Sequence, residues 1–285
     1  MRKTRIASIA AMAAAAALAL TGCGGGGGDA GGDGGGGDGG GGGDKVKIGI
    51  KFDQPGLGFK DGDKFTGFDV DVAKYVANEL GFKEENIEWV SAPSANRETL
   101  LETKQVDMIL ATYSITDSRK ERVAFAGPYF VAGQDLLVRQ DDSSITGPDT
   151  LKGKKLCSVT GSTSAKKVSD SYPGVSLVEQ GGYADCLGLL ETGGIDAVTT
   201  DDIILAGLAA TPANKGKFKV VGNTFTEEMY GVGLTKGNDT CEKINTAISK
   251  MIKDGEWEKS LKANTEGTGY TPNAELNPPT PEPCA

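Results

Sequence analysis

The sequence predicts an α/β protein of two lobes, each an open and mostly parallel sheet flanked by helices, with two extended stretches crossing between them. Three observations predict it. From residue 45 onward, runs with the alternation of strands take turns with runs that carry apolar residues at helical spacing. They do so in two separate series, the first followed by QDLLVRQ (134–140) and the second by EEMYGVGLTKG (227–237). The roughly 240 residues after Asp44 suit two modest domains.

The first series opens with KVKIGIK (45–51), a strand by its alternation and β-formers. Residues 52–67 hold glycine, proline and aspartate and read as a loop or hairpin. In FDVDVAKYVANELG, Val72, Ala73, Val76, Ala77 and Leu80 recur at helical spacing, and Gly81 stops the helix. IEWVS is a second strand. Residues 95–104 form a short helix with Leu100 and Leu101 inward, and VDMILAT is a third strand. The second series runs KKLCSVT strand, STSAKKVSDSY helix, VSLVEQ strand, YADCLGLLETG helix, IDAVTTD strand, DIILAGLAA helix and FKVVG strand. A final helix, roughly Thr240 to Ala263, carries Ile244, Ile248, Met251 and Ile252 on one face, with Asp239 placed as its N-cap. The expected division is 45–137 plus 230–285 for the first lobe and 138–229 for the second.

The N-terminus has a different character. Arg2, Lys3 and Arg5 precede an apolar, alanine-rich stretch of about 15 residues, too short to span a bilayer comfortably. This is the pattern of a secretory signal peptide, residues 1–22. Leu20-Thr21-Gly22-Cys23 resembles a bacterial lipobox, which implies cleavage before Cys23 and lipidation of its thiol. Residues 24–44 are almost all glycine and aspartate. Such a run buries nothing apolar and is expected to act as a disordered tether with a reach of roughly 25 Å.

Charge and composition exclude several function classes. The formal net charge is −9, and loss of Arg2, Lys3 and Arg5 with the signal takes it to −12. That balance argues against nucleic acid as a partner and against electrostatic attraction to anionic lipid. The absence of histidine removes Ser-His-Asp and Cys-His catalysis and His-ligated metal sites. With Cys23 lipidated, Cys157, Cys186, Cys241 and Cys284 remain, an even number that suggests disulfides in an exported protein. Three pairings are possible; Cys157–Cys186 with Cys241–Cys284 is favoured, because the first two share one βα-rich stretch and the last two would pin the NPPTPEPCA tail. No CxxC pair supports zinc or thioredoxin-type chemistry. Neither metal nor cofactor is expected.

In open parallel sheets, ligands sit beyond the carboxyl ends of the strands. The stretch after the third strand, ATYSITDSRKER, offers Thr112, Ser114 and Thr116, then Arg119. A guanidinium can grip a carboxylate with two parallel hydrogen bonds; taken alone, the same stretch also reads as a solvated helix start.

The order KFDQPGLGFKDGDKFTGFDVDVA, SANRETLL, VDMILATYSITDSRKERVAFAGPYF, TGSTS and GGIDAVTTDD, spanning about residues 46–262, resembles the amino-acid-binding proteins of ABC importers, solute-binding protein family 3, and most of all their glutamate-binding lipoproteins. The resemblance implies a periplasmic-binding-protein-like fold. It implies a monomer, lipid-anchored to the outer face of the cytoplasmic membrane, that delivers an amino acid to an ABC permease. By this resemblance Arg119, with Thr112 and Ser114, would hold the ligand α-carboxylate. Ser162 and Thr163 of the TGSTS turn would meet that carboxylate from the other lobe, at a helix N-terminus. Asp201 would accept the α-ammonium, with Asp202 as its neighbouring alternative. A ligand with a second carboxylate needs cations in the cleft. Lys51 and Arg97 would supply them, with hydrogen bonds from Ser94 and Thr160; Gln54 and Tyr230 are further cleft candidates. Phe52 and Phe59 lie nearby without an assigned role. Glutamine, aspartate or another polar amino acid are the alternative ligands. An enzyme of dehydratase type on the same fold is the alternative class.

Overall fold

A computed structural model describes residues 45–284. The expected signal peptide (1–22), the expected lipidation site at Cys23 and the expected tether (24–44) lie outside the described residues, as does Ala285. The chain runs through β1 (Val46–Ile50), β2 (Asp53–Gln54), β3 (Gly58–Asp61), β4 (Lys64–Thr66), α1 (Phe68–Glu79), β5 (Ile87–Ser91), α2 (Arg97–Glu102), β6 (Met108–Ile109), α3 (Asp117–Lys120) and β7 (Ala124–Ala132). It then passes through β8 (Gln134–Arg139), β9 (Lys155–Val159), α4 (Thr163–Ser171), β10 (Ser176–Gln180), α5 (Tyr183–Glu191), β11 (Ala197–Asp201), α6 (Asp202–Ala210) and β12 (Phe218–Val220). It ends with β13 (Glu228–Leu234), α7 (Cys241–Lys253) and α8 (Glu256–Thr265).

Two five-stranded sheets result. The first has the order β5-β1-β6-β13-β7, with β1 parallel to β5 and β6, and β13 antiparallel to β6 and β7. The second has the order β10-β9-β11-β8-β12, with β9 parallel to β10 and β11, and β8 antiparallel to β11 and β12. Ile48 and Ile50 of β1 are completely buried, because helices cover a central parallel strand. Val72, Ala73, Val76 and Ala77 of α1 are buried beside it, as their spacing predicts. Leu101 is buried, and Leu100 packs at the margin of the same cluster. The 52–67 segment folds as a small meander, β2-β3-β4.

Four features differ from the sequence reading. AFAGPYFVA is a nine-residue strand, β7, that the Gly-Pro pair conceals. Proline is tolerated there because β7 is the edge of its sheet, and the ladder to β13 shifts register around Tyr230 and Val232. The final helix is two helices, because Gly255 takes φ 77 and starts α8 in a new direction. Asp239 does not cap α7; the Asn238 carboxamide oxygen instead accepts from the Thr240 amide at 2.8 Å. Finally, Gln134–Arg139 belongs wholly to the second sheet. The first crossing is therefore at Gly133, four residues before the expected border at 137/138, and the return falls just before β13.

Both disulfides take the favoured pairing. Cys157 is bonded to Cys186 and Cys241 to Cys284. The second fastens the tail along the exposed edge of β7. There, Asn277 exchanges hydrogen bonds with the Val131 amide and carbonyl, and the Glu282 amide donates to Gly127 O at 2.7 Å. A covered edge does not template pairing with another chain. Cys284→Ser opens a 43-residue loop in the unfolded chain. The expected cost is about 2–4 kcal/mol, a drop of roughly 5–15 °C in Tm. An unchanged calorimetric melting curve would show that this bridge does not stabilise the fold. Among the described residues, no helix is long and apolar enough to cross a membrane.

Candidate ligand-binding site

Several of the polar residues singled out by sequence, Arg119, Ser114, Ser162, Thr163 and Asp201 among them, gather where the two lobes meet. Arg119 lies in the short turn of α3, whose N-cap Thr116 accepts from the Arg119 amide. The turn directs the guanidinium inward, leaving the residue 8% exposed. Its Nη1 donates to Ser114 O at 2.7 Å, its Nε lies 3.3 Å from Glu98 Oε1, and its Nη2 donates to Gly161 O at 3.2 Å. The last of these bonds reaches the other lobe. Ser114 Oγ also meets Thr163 Oγ1 across the lobes at 3.3 Å.

Gly161 has to be glycine to make that approach. Its φ is 79, and an added Cβ would fall 2.7 Å from Ala95 Cα in the first lobe. Ser162 caps α4 by accepting from the Ala165 amide at 2.9 Å. Ser94, Arg119, Ser162 and Thr163 line a common space of about 950 Å³ that opens outward between the lobes. Thr160 is not brought there. It is exposed, and its amide donates to Gln180 O. The reversal at Gly161 turns the chain only after Thr160 has passed.

The cationic candidates form one buried cluster. Lys51 Nζ donates to Ser94 Oγ at 2.7 Å. Arg97 is 2% exposed and donates from Nη1 to both Ala111 O and Thr112 O, while its Nε has no hydrogen-bond partner among the described residues. Arg97 and Arg119 lie 4.2 and 5.0 Å from the ring centroid of Tyr113, whose face favours cations. Crowding tells on the proton equilibria. Burial first, and then Arg97, bring Lys51 down to about 7. Burial, then Arg119, lower Arg97 to about 10. Gln54 and Thr112 are buried in the first lobe; the single proton of the Thr112 hydroxyl is shared between Ala111 O at 2.8 Å and Gln54 Oε1 at 3.2 Å, so that hydroxyl is engaged within its own lobe.

The opposite pole is Asp201, at the end of β11 and 3% exposed. Tyr230 of the first lobe donates its phenol to Asp201 Oδ2, and Oδ1 has no partner among the described residues. Burial first, then Glu228, push the Asp201 carboxyl well above the usual range. Asp202 turns elsewhere: its Oδ1 accepts from the amides of Ile203 and Gly133, at 2.8 and 3.3 Å, and from the Tyr270 hydroxyl. It serves the crossing, not the cluster.

Three participants escaped the sequence reading: Tyr113, Glu98 and Asp69. Tyr113 and Glu98 adjoin predicted residues, since they flank Ser114 and Arg97, and adjacency was the available signal. Asp69 is completely buried in the first turn of α1, and only its place in FDVDVA marks it. Phe52 packs on Phe65, ring centroids 5.2 Å apart, and stays half-buried.

Two α/β lobes thus meet at a cluster of buried cations on one wall and, on the other, a buried carboxylate whose Oδ1 has no partner among the described residues. The particular family follows from comparison. The model for bacterial extracellular solute-binding proteins, family 3, matches residues 46–264, and the chain belongs to this family. It is an amino-acid-binding protein of the ABC-importer class. It is 47% identical over 231 residues to the glutamate-binding protein GluB of Corynebacterium efficiens, covering 77% of this chain and 78% of that one. It is 35% identical over 222 residues to the glutamine-binding protein GlnH of Bacillus subtilis, covering 77% and 80%. Among solved structures, an ancestral arginine-binding protein bound to glutamine matches at a TM-score of 0.71 and 35% identity, over 77% of this chain and 97% of that one.

Proposed function

We propose that this protein captures glutamate between its lobes and delivers it to an ABC permease. The observation that carries the reading is the buried set Lys51, Arg97 and Arg119 opposite Asp201. Three cations that repel one another in a dry interface favour a ligand bringing two carboxylates. Arg119, joined by Ser114, Ser162 and Thr163, takes the α-carboxylate. Asp201 Oδ1 takes the α-ammonium. Arg97 and Lys51, with Ser94, take the distal carboxylate. Glutamine would present a neutral amide there, with no charge of its own to pair with Arg97 and Lys51. The 47% identity to a glutamate-binding relative supports the same choice.

The ligand's charges bridge the walls, so binding favours the closed arrangement through contacts that separated lobes cannot make. The protein acts as a monomer, held by lipid on Cys23 at the outer face of the cytoplasmic membrane. The Gly-rich tether leaves the lobes free to move; the sequence alone supports that part. A thermal-shift panel of the common amino acids tests the ligand. Glutamate at a hundredfold excess over Kd adds about 2.7 kcal/mol of stability. A shift with glutamine or a basic amino acid and none with glutamate would overturn the assignment.

A further inference from the structure

The two arginines are held by different parts of the fold. Arg119 rests on Ser114 O, Gly161 O and Glu98. Arg97 rests on the carbonyls of Ala111 and Thr112. Those carbonyls are aimed by a strained residue. Thr112 has φ 45, a left-handed conformation disfavoured for a β-branched side chain, which must be held by its surroundings. What holds it is Asp69. Its Oδ2 accepts from the Thr112 amide at 2.8 Å, and its Oδ1 accepts from the Tyr129 hydroxyl at 2.8 Å. Asp69 is completely buried and fixed in the first turn of α1.

We propose that Asp69 is a specificity-determining positioning residue: by clamping Thr112 in its left-handed conformation it aims the two carbonyls that hold Arg97 toward the distal end of the ligand. Asp69 touches no ligand; it acts through Thr112 and then Arg97. This inference rests on the glutamate reading, in which Arg97 meets the distal carboxylate. Its signature is selectivity. Loss of the clamp moves the pole that separates glutamate from glutamine and leaves the Arg119 pole, which both ligands use, in place. A merely structural aspartate would lower stability and weaken both ligands together.

Calorimetry with glutamate and with glutamine, on the full soluble chain, makes the test. The wild type is measured first; absence of a glutamate preference overturns the ligand assignment and this inference with it. Asp69→Ala is expected to lower the glutamate-to-glutamine affinity ratio about tenfold or more, with glutamine affinity within about threefold of wild type. Asp69→Asn, whose carboxamide oxygen still accepts from Thr112, is expected to restore the ratio. Tyr129→Phe removes the other partner of Asp69 and leaves the ratio unchanged. Should Asp69→Ala fail to fold, Asp69→Glu carries the same expectation, because the longer side chain displaces the acceptor from the Thr112 amide. A glutamate preference that survives in whichever of these two variants folds, or an equal loss for both ligands, overturns the positioning role while leaving the ligand assignment standing.

Discussion

Glutamate titrated into Arg119→Ala gives no measurable heat of binding. Arg119 is the one cation of the cluster that bonds to both lobes, to Ser114 O on its own side and Gly161 O on the other. It lines the outward-opening space together with Ser162 and Thr163. Truncation leaves a ligand carboxylate buried without its partner, at a cost of about 2–5 kcal/mol, or roughly 30- to 5,000-fold in Kd. Arg119→Lys recovers little, because an ammonium cannot reproduce the fork that bonds to several acceptors at once. The melting temperature of each variant separates lost binding from lost folding, since Glu98 also loses its counter-ion. Near-wild-type affinity in a folded Arg119→Ala would sink the proposed site.

The sequence made this much legible because of where strands end. Lys51 follows β1, Asp201 ends β11 and Arg119 lies in the connection beyond β6, and open parallel sheets direct those ends to one place. The helical spacing of Val72, Val76 and Ala77 likewise reports their burial directly. What remained hidden depends on partners distant in the chain. Asp69 meets Thr112 across 43 residues, and nothing in FDVDVA announces it. Tyr230 reads as a cleft candidate, but its partner Asp201, 29 residues earlier and in the other lobe, is not visible in the sequence around it. Thr160 is exposed, and its amide is bonded to Gln180 O, a partner 20 residues further along the chain. β7 was hidden by Gly127-Pro128, whose tolerance depends on the strand being an edge, and an edge is a property of the assembled sheet.

The second large effect is on pH. Glutamate affinity is expected to fall by up to tenfold per unit as pH rises above about 7, the value to which burial first and Arg97 next bring Lys51. Without ligand, the ammonium form is disfavoured relative to its ordinary value near 10.5. The unfolded chain therefore binds more protons between about 7 and 10.5, and unliganded stability rises with pH through that window. A distal carboxylate beside Lys51 restores the preference for the ammonium, so binding in the same window takes up a proton and weakens as protons become scarce. Asp201 works in the opposite sense. Its carboxyl is held well above the ordinary range, and an incoming ammonium favours the carboxylate, so binding releases a proton and weakens as pH falls. The two limbs oppose one another, the acid limb set by Asp201 and the alkaline limb by Lys51. Calorimetry in buffers of different ionisation heat, between about pH 6 and 8.5, where the ligand ammonium stays charged, counts the protons directly. Lys51→Met is expected to bind more weakly and to lose the alkaline limb alone. Retention of that limb in Lys51→Met would remove Lys51 from the distal-carboxylate pole and leave Arg97 to hold that charge.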